Sequence, residues 1–147
     1  MKRLARILFL CRENSCRSQM AEAFAWQYGK GSLEAWSAGS TPRGEVDART
    51  IEVMRERGIE LSQHTSKGLG ELPDVQWDVV VTMGCGDACP AVAARHRLDW
   101  KIPDPKGQAL EGYRRVRDAI EDAVKVLLAQ LSDFTAGADA VVRGGRP

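Results

Sequence analysis

Four cysteines carry the chemistry worth asking about: Cys11, Cys16, Cys85 and Cys89. Cys11 opens the run Cys11-Arg12-Glu13-Asn14-Ser15-Cys16-Arg17-Ser18, in which a thiol precedes a guanidinium by a short, fixed interval. If the run joins a strand end to a helix start, its backbone N–H groups turn inward and the helix dipole adds partial positive charge. Arg17 can then meet two oxygens of a tetrahedral anion at once. The same field favours the thiolate of Cys11, as helix N-termini and nearby cations do for cysteines generally. Asn14 suits the left-handed backbone of a tight loop, and the Ser18 hydroxyl can donate to the sulfur. Arg12, Glu13, Asn14, Ser15, Cys16, Arg17 and Ser18 are therefore the expected oxyanion cradle, with Cys11 as the attacking nucleophile. On spacing alone, a Cys followed by an Arg is more often a buried thiol near an incidental cation. A strand before the run and a helix after it reverse that reading. A Walker phosphate loop is a poor rival, because its Gly-Lys-Ser/Thr ending is absent.

The run does sit between such elements. Leu4 to Leu10 is apolar apart from Arg6 and reads as a central strand buried on both faces. A helix over about 16–28 follows, with Met20, Ala23, Phe24 and Gln27 on one side and Gly29 as its stop. Glu34 to Ala38 reads as a second strand. Asp47 caps a second helix whose inner face carries Ala48, Ile51 and Met54, and Gly58 ends it. Gln76 to Met83 reads as a third strand, Asp87 to Arg95 as a short helix, and Leu98 to Ile102 as a fourth strand ended by Pro103. Gly112 to Leu131 is the clearest helix, with Tyr113, Val116, Ile120, Ala123, Val124, Leu127 and Leu131 at helical spacing. Alternating strands and helices predict a parallel sheet covered on both faces, with its ligand beyond the carboxyl ends of the strands. Cys11, Cys85 and Asp104 all fall just past predicted strand ends, so three chemical groups share one edge.

Composition narrows the classes. The chain has 147 residues, enough for one compact domain, and a formal net charge of +1 offers no global field for nucleic acid or an acidic membrane. No apolar run is long enough to span a bilayer, and the basic start lacks a signal-peptide pattern. The reading is a cytoplasmic monomer: a catalytic domain over 1–134 and a flexible tail over 135–147 rich in Ala, Gly and Arg. In a reducing compartment a static disulfide framework is not expected. A zinc site built on Cys85-x3-Cys89 would occupy the nucleophile, so no metal and no cofactor are predicted. His64 and His96 are isolated, and Arg95-His96-Arg97 reads as a solvated face.

The run CRENSCRSQMAE (Cys11 to Glu22) resembles the low-molecular-weight protein tyrosine phosphatase superfamily, and most closely its arsenate reductase branch. The likeness continues through Trp36-Ser37-Ala38-Gly39, Ser62 to Lys67, Val80 to Met83 and Asp104-Pro105. It implies a flavodoxin-like three-layer sandwich with a four-stranded parallel sheet and helices on both faces. Arg12 and Glu13 occupy positions often filled by small or neutral residues in that family and are expected to face solvent. Some relatives hold a monovalent cation beside the loop. Asn14, Glu22 and Ser37 match that site, but Lys67 stands where an acid is expected, so no cation is predicted.

Within this resemblance, Cys11, Arg17 and Asp104 supply a nucleophile, an anion clamp and a general acid. Those three suffice for a phosphatase. Lys106 and Gly107 nevertheless follow Asp104-Pro105 where phosphotyrosine phosphatases carry aromatic residues. Cys85 and Cys89 have no use in phosphate hydrolysis. The implied reaction is arsenate reduction: Cys11 attacks, Cys85 then forms a disulfide with Cys11, and Cys89 moves it to a Cys85–Cys89 disulfide. Thioredoxin, at roughly −270 mV, is a suitable dithiol donor. The pair is closer in sequence than in typical relatives, which leaves the order of attack by Cys85 and Cys89 open. Residues four apart on a helix have Cβ atoms about 5–6 Å apart, and a disulfide wants about 3.8 Å, so this segment is expected to loosen on oxidation. A phosphatase and a non-catalytic arsenite- or metal-binding protein are the competing readings.

Overall fold

The computed structural model describes residues 4–84 and 92–142, with side chains described as far as residue 131. Four strands, β1 (Ala5–Cys11), β2 (Leu33–Gly39), β3 (Trp77–Thr82) and β4 (Ala94–Asp99), are joined by α1 (Arg17–Tyr28) and α2 (Ala48–Arg55), and α3 (Leu110–Val142) closes the chain. All strand pairs are parallel, in the order β2-β1-β3-β4. The chain thus leaves β1 to one side and returns to the other. That reversal opens a crevice at the carboxyl ends of β1 and β3, where doubly wound sheets bind ligands. Cys11 sits there, paired in register with Gly39, while Leu10 pairs with Thr82.

Alternation along β1 builds two cores. Ile7, Phe9 and Cys11 join the larger one, with Met20 and Phe24 of α1 and Tyr113, Val116 and Ile120 of α3. Leu8 and Leu10 join Ala38, Trp77 and Val80 on the opposite face, beneath Trp36, Val75 and the 3₁₀ turn Leu69–Glu71. The expected three-layer sandwich forms.

Several element boundaries differ from the sequence reading. From Arg17 to Ala25, α1 is buried all round except at Glu22, because it is wedged between sheet, α3 and the Cys11 loop. It leaves the core after Ala25, so Gln27 is exposed, as are Trp26 and Tyr28. In α2 the buried residues are Thr50, Val53 and Met54, while Ala48 is exposed and Ile51 half-buried. The fourth strand begins at Ala94 and ends at Asp99, earlier than Leu98 to Ile102. Its half-buried Ala94, His96 and Leu98 alternate with exposed Arg95, Arg97 and Asp99, the charged outer row that an edge strand carries. Arg95-His96-Arg97 is therefore edge strand, and residues 92–95 of the predicted helix over Asp87 to Arg95 are not helical. Its residues 87–91 lie outside the described ones. The backbone of α3 continues helically to Val142, well beyond Leu131 and across the 134/135 boundary read from composition. Among the described residues no helix is long and apolar enough to cross a membrane.

Candidate active site

The run from Cys11 to Arg17 wraps the carboxyl end of β1, and its carbonyls from Arg12 to Cys16 find donors behind it. The Arg12 carbonyl accepts from Thr41 N (2.8 Å), Glu13 from Arg43 N (3.2 Å) and Ser15 from Asp47 N (2.9 Å). Asn14 accepts from Gln19 Nε2 (3.3 Å), and Cys16 from Met20 N (2.9 Å) in the first turn of α1. A trans peptide directs its N–H opposite to its C=O. Carbonyls held outward at Arg12, Glu13, Asn14 and Ser15 thus turn the N–H groups of Glu13, Asn14, Ser15 and Cys16 inward. The result is a concave row of donors at a helix N-terminus, the geometry that holds anions.

Asn14 makes the turn, with φ 52° and no solvent exposure. Its side chain is oriented without ambiguity, because Lys67 N can only donate, and it donates to Oδ1 (2.7 Å). Nδ2 then donates to Ser18 Oγ (2.7 Å). That hydroxyl lies 2.9 Å from Cys11 Sγ, within hydrogen-bonding distance and placed to donate to the sulfur when it is a thiolate. A chain of hydrogen bonds therefore runs from the Lys67 backbone through Asn14 and Ser18 to the sulfur. Gly39 lets this loop close: a Cβ there would lie 2.6 Å from the Arg12 carbonyl oxygen and 2.8 Å from Asn14 N.

Arg17 is only 6% exposed. It donates to the Ile102 carbonyl at 3.0 Å, and its Nη2 lies 3.7 Å from Asp104 Oδ2. Gly84, just past β3, has φ +75°, and a Cβ on it would stand 2.4 Å from Arg17 Nη1. Only glycine satisfies both demands. The guanidinium is thus fixed from two sides, and its five donors suit an anion with several oxygens. Asp104 is exposed, and Lys106 N donates to its Oδ1 (3.0 Å). It lies farther past β4 than the sequence reading had it. The intervening segment stays on the sheet edge through Trp100, whose N donates to the Thr82 carbonyl (2.9 Å) and whose ring packs on Phe9 at 5.9 Å.

The two cysteines of the loop differ. Both are buried and free. Burial pushes the Cys16 thiol well above its ordinary range, with the nearby Cys11 and Asp104 adding in the same direction. Cys16 is thus a neutral packing residue at the N-terminus of α1, where its side chain makes no capping bond. Cys85 and Cys89 lie outside the described residues.

Some supporting residues escaped the sequence reading. Asp47, read as a helix cap, does accept from Arg49 N (2.9 Å), but it also receives the Tyr113 hydroxyl at 2.6 Å. With its N–H on Ser15 O, it ties the loop to both α2 and α3. Gln19 spans Asn14 Oδ1 (3.0 Å) and the Thr65 carbonyl (3.1 Å). Glu13, expected in solvent, pairs with Lys106 Nζ at 3.1 Å. Lys67 Nζ lies 3.7 Å from Glu22 Oε1, which also accepts from Ser37 Oγ, so a fixed ammonium faces that carboxylate. Among the described residues, no group of three or more His, Cys, Asp or Glu is placed to hold a metal ion.

Comparison with known proteins agrees with this geometry. A glutaredoxin arsenate reductase from Synechocystis sp. is 36% identical over 132 residues, covering 88% of this chain and 100% of that protein. A solved arsenate reductase in its phosphate-binding state superposes with a TM-score of 0.79 at 37% identity, covering 86% of this chain and 98% of the other. A thioredoxin-dependent arsenate reductase from Corynebacterium glutamicum gives a TM-score of 0.71 at 32% identity, covering 88% of this chain and 63% of that one. The family model for low molecular weight phosphotyrosine protein phosphatase matches residues 6–135. That match spans almost the whole chain, which belongs to the low molecular weight phosphotyrosine protein phosphatase family.

Proposed function

We propose that this chain is an arsenate reductase that uses Cys11 as nucleophile and a cysteine relay to release arsenite. The carrying observation is the cradle itself: outward carbonyls, a buried Arg17 and a Ser18 hydroxyl 2.9 Å from Cys11 Sγ. Likeness to arsenate reductases over most of the chain selects arsenate among tetrahedral oxyanions, with phosphate and sulfate as competitors.

The Cys11 thiolate attacks arsenic, forming a sulfur–arsenic bond while one oxygen leaves as water with a proton from Asp104. The inward N–H groups and Arg17 hold the remaining oxygens and stabilise their charge in a water-poor site. Cys85 then attacks Cys11 Sγ. A sulfur–sulfur bond forms, the sulfur–arsenic bond breaks, and its electron pair stays on arsenic, which leaves as arsenite. Two thiols have been oxidised and As(V) reduced to As(III). Cys89 attacks Cys85, frees the Cys11 thiolate and leaves a Cys85–Cys89 disulfide for an external dithiol. Gly84, packed on the Arg17 guanidinium, is bonded to Cys85, so the relay segment starts at the rim of the anion site. The donor we favour is thioredoxin, in a reducing cytoplasm. The name of the Synechocystis relative makes glutaredoxin the donor to test beside it.

Arsenate-dependent NADPH oxidation tests the reading, run with thioredoxin and its reductase beside glutaredoxin–glutathione and mycothiol systems. Sustained arsenite production with one of them is expected, and it stops after one turnover in Cys89→Ser. Hydrolysis of phosphate esters without arsenite formation would make the chain a phosphatase instead. Full turnover in both Cys85→Ser and Cys89→Ser would remove the relay.

A further inference from the structure

We propose that the Glu13–Lys106 ion pair is a strap across the mouth of the anion site and selects small inorganic oxyanions over esters carrying a bulky group. The proposal rests on the oxyanion-site reading above. Its two anchors belong to the two walls of the site. Glu13 is part of the Cys11–Arg17 loop, and its carboxylate receives Lys106 Nζ at 3.3 Å and 3.1 Å, so both oxygens are engaged. Lys106 follows Asp104-Pro105, and its own backbone N–H donates to Asp104 Oδ1 at 3.0 Å. Asp104 in turn faces Arg17 at 3.7 Å. The Cys11 loop, the ion pair, Asp104 and Arg17 therefore form a closed ring of contacts.

The ring has a steric consequence. The N–H groups and Arg17 grip three oxygens of a tetrahedral ligand, and the fourth substituent points outward past Asp104. An oxygen there fits beneath the strap. An aryl or peptidyl group leaving past Asp104 would meet the Glu13–Lys106 pair next to it, and the pair would have to open. Glu13 keeps 27% of its side-chain exposure and Lys106 keeps 54%, so the pair is a gate and not a wall. A partly exposed pair of this kind yields about fivefold at most, which sets the expected size of the discrimination. Screening makes the gate salt-sensitive, whereas the buried cradle behind it is screened far less. Lys106→Met preserves the stem and the backbone N–H to Asp104 and removes only the charge.

Phosphorus NMR titration with inorganic phosphate and with phenylphosphonate measures the two affinities in one protein. The wild-type protein should bind phosphate more tightly than phenylphosphonate. In Lys106→Met that ratio should fall about fivefold, the ceiling for such a pair. Losing one cation weakens both anions alike, so the ratio isolates the gate. The reversed pair Glu13→Lys/Lys106→Glu should recover the wild-type ratio, and raised salt should move the wild-type ratio toward that of Lys106→Met. An unchanged ratio in Lys106→Met with phosphate still bound overturns the strap and leaves the oxyanion site standing. No phosphate binding in the wild-type protein overturns both.

Discussion

The two walls of the site are built from different materials. On one side, the Cys11 loop is held by hydrogen bonds between buried, mostly neutral groups, and every carbonyl from Arg12 to Cys16 has a donor. On the other side, Asp104 keeps 47% of its side-chain exposure and is steadied by one backbone N–H and a distant guanidinium. Arg17 joins the walls, yet its side chain is only 7% exposed and belongs to the rigid side. The difference follows the order of the chemistry. Oxyanion geometry must exist before substrate arrives, because preorganised dipoles do not have to reorganise during reaction. In the proposed reaction the acid side would accommodate first a departing water and then an approaching thiol, and a half-exposed carboxylate can shift at little cost.

Breaking the rigid wall should have the largest effect. Cys11→Ser removes the proposed nucleophile, and arsenite formation should fall below detection while phosphate binding survives. A turnover assay paired with phosphate titration checks both halves. Asp104→Asn comes next. Loss of a general acid typically costs about 10²-fold or more, seen as a fall in kcat with little change in phosphate affinity. Equal losses in kcat and affinity would move Asp104 to the rigid wall and undo the contrast.

Gly84→Ala should act through Arg17. The new Cβ would meet Nη1 at 2.4 Å and the backbone would keep an unfavourable φ of +75°. The strained residue and displaced guanidinium together cost on the order of 1–3 kcal/mol, about 5- to 150-fold in anion affinity. Weakened phosphate binding with Asp104-dependent kcat retained sharpens the contrast; an intact affinity contradicts it.

The smallest effect belongs to Cys16. Burial holds its thiol neutral, well above the ordinary value of 9.0. A raised folded pKa contributes stability that is complete below the unfolded pKa and declines as pH rises above it. Cys16→Ala should therefore flatten the loss of stability above about pH 9, by the same linkage, while changing arsenate turnover less than about threefold. Denaturant unfolding across that pH range is the measurement.

The rigid wall was also the legible one. A buried strand, a helix start and the residues between them are consecutive in sequence, so the placement of Cys11, Asn14, Arg17 and Ser18 between β1 and α1 could be read from local pattern alone. The exposed wall was harder, because its parts come from separate segments. Ala94 to Asp99 alternates with a period of two, but Arg95, Arg97 and His96 masked the strand by their charge, and the end of β4 was set too late. Glu13 reads as a solvent residue until Lys106, distant in sequence, is seen beside it. Asp47 looked like a simple cap because its bonds to Tyr113 and Ser15 are tertiary. Gly84 left a visible trace, a glycine directly after a strand, but its reason is the guanidinium it accommodates. The face of α2 was misread because apolar Ala48 and Ile51 outweighed Thr50, whose burial is decided by packing and not by hydropathy.

One measurement reaches the centre of the account: peptide-mapped alkylation of the fully reduced protein with limiting iodoacetamide, with and without phosphate. Cys11 should react well before Cys16, and phosphate should slow Cys11 alone among that pair. Preferential labelling of Cys16, or labelling of Cys11 that phosphate leaves unchanged, would contradict a nucleophile seated in an oxyanion cradle.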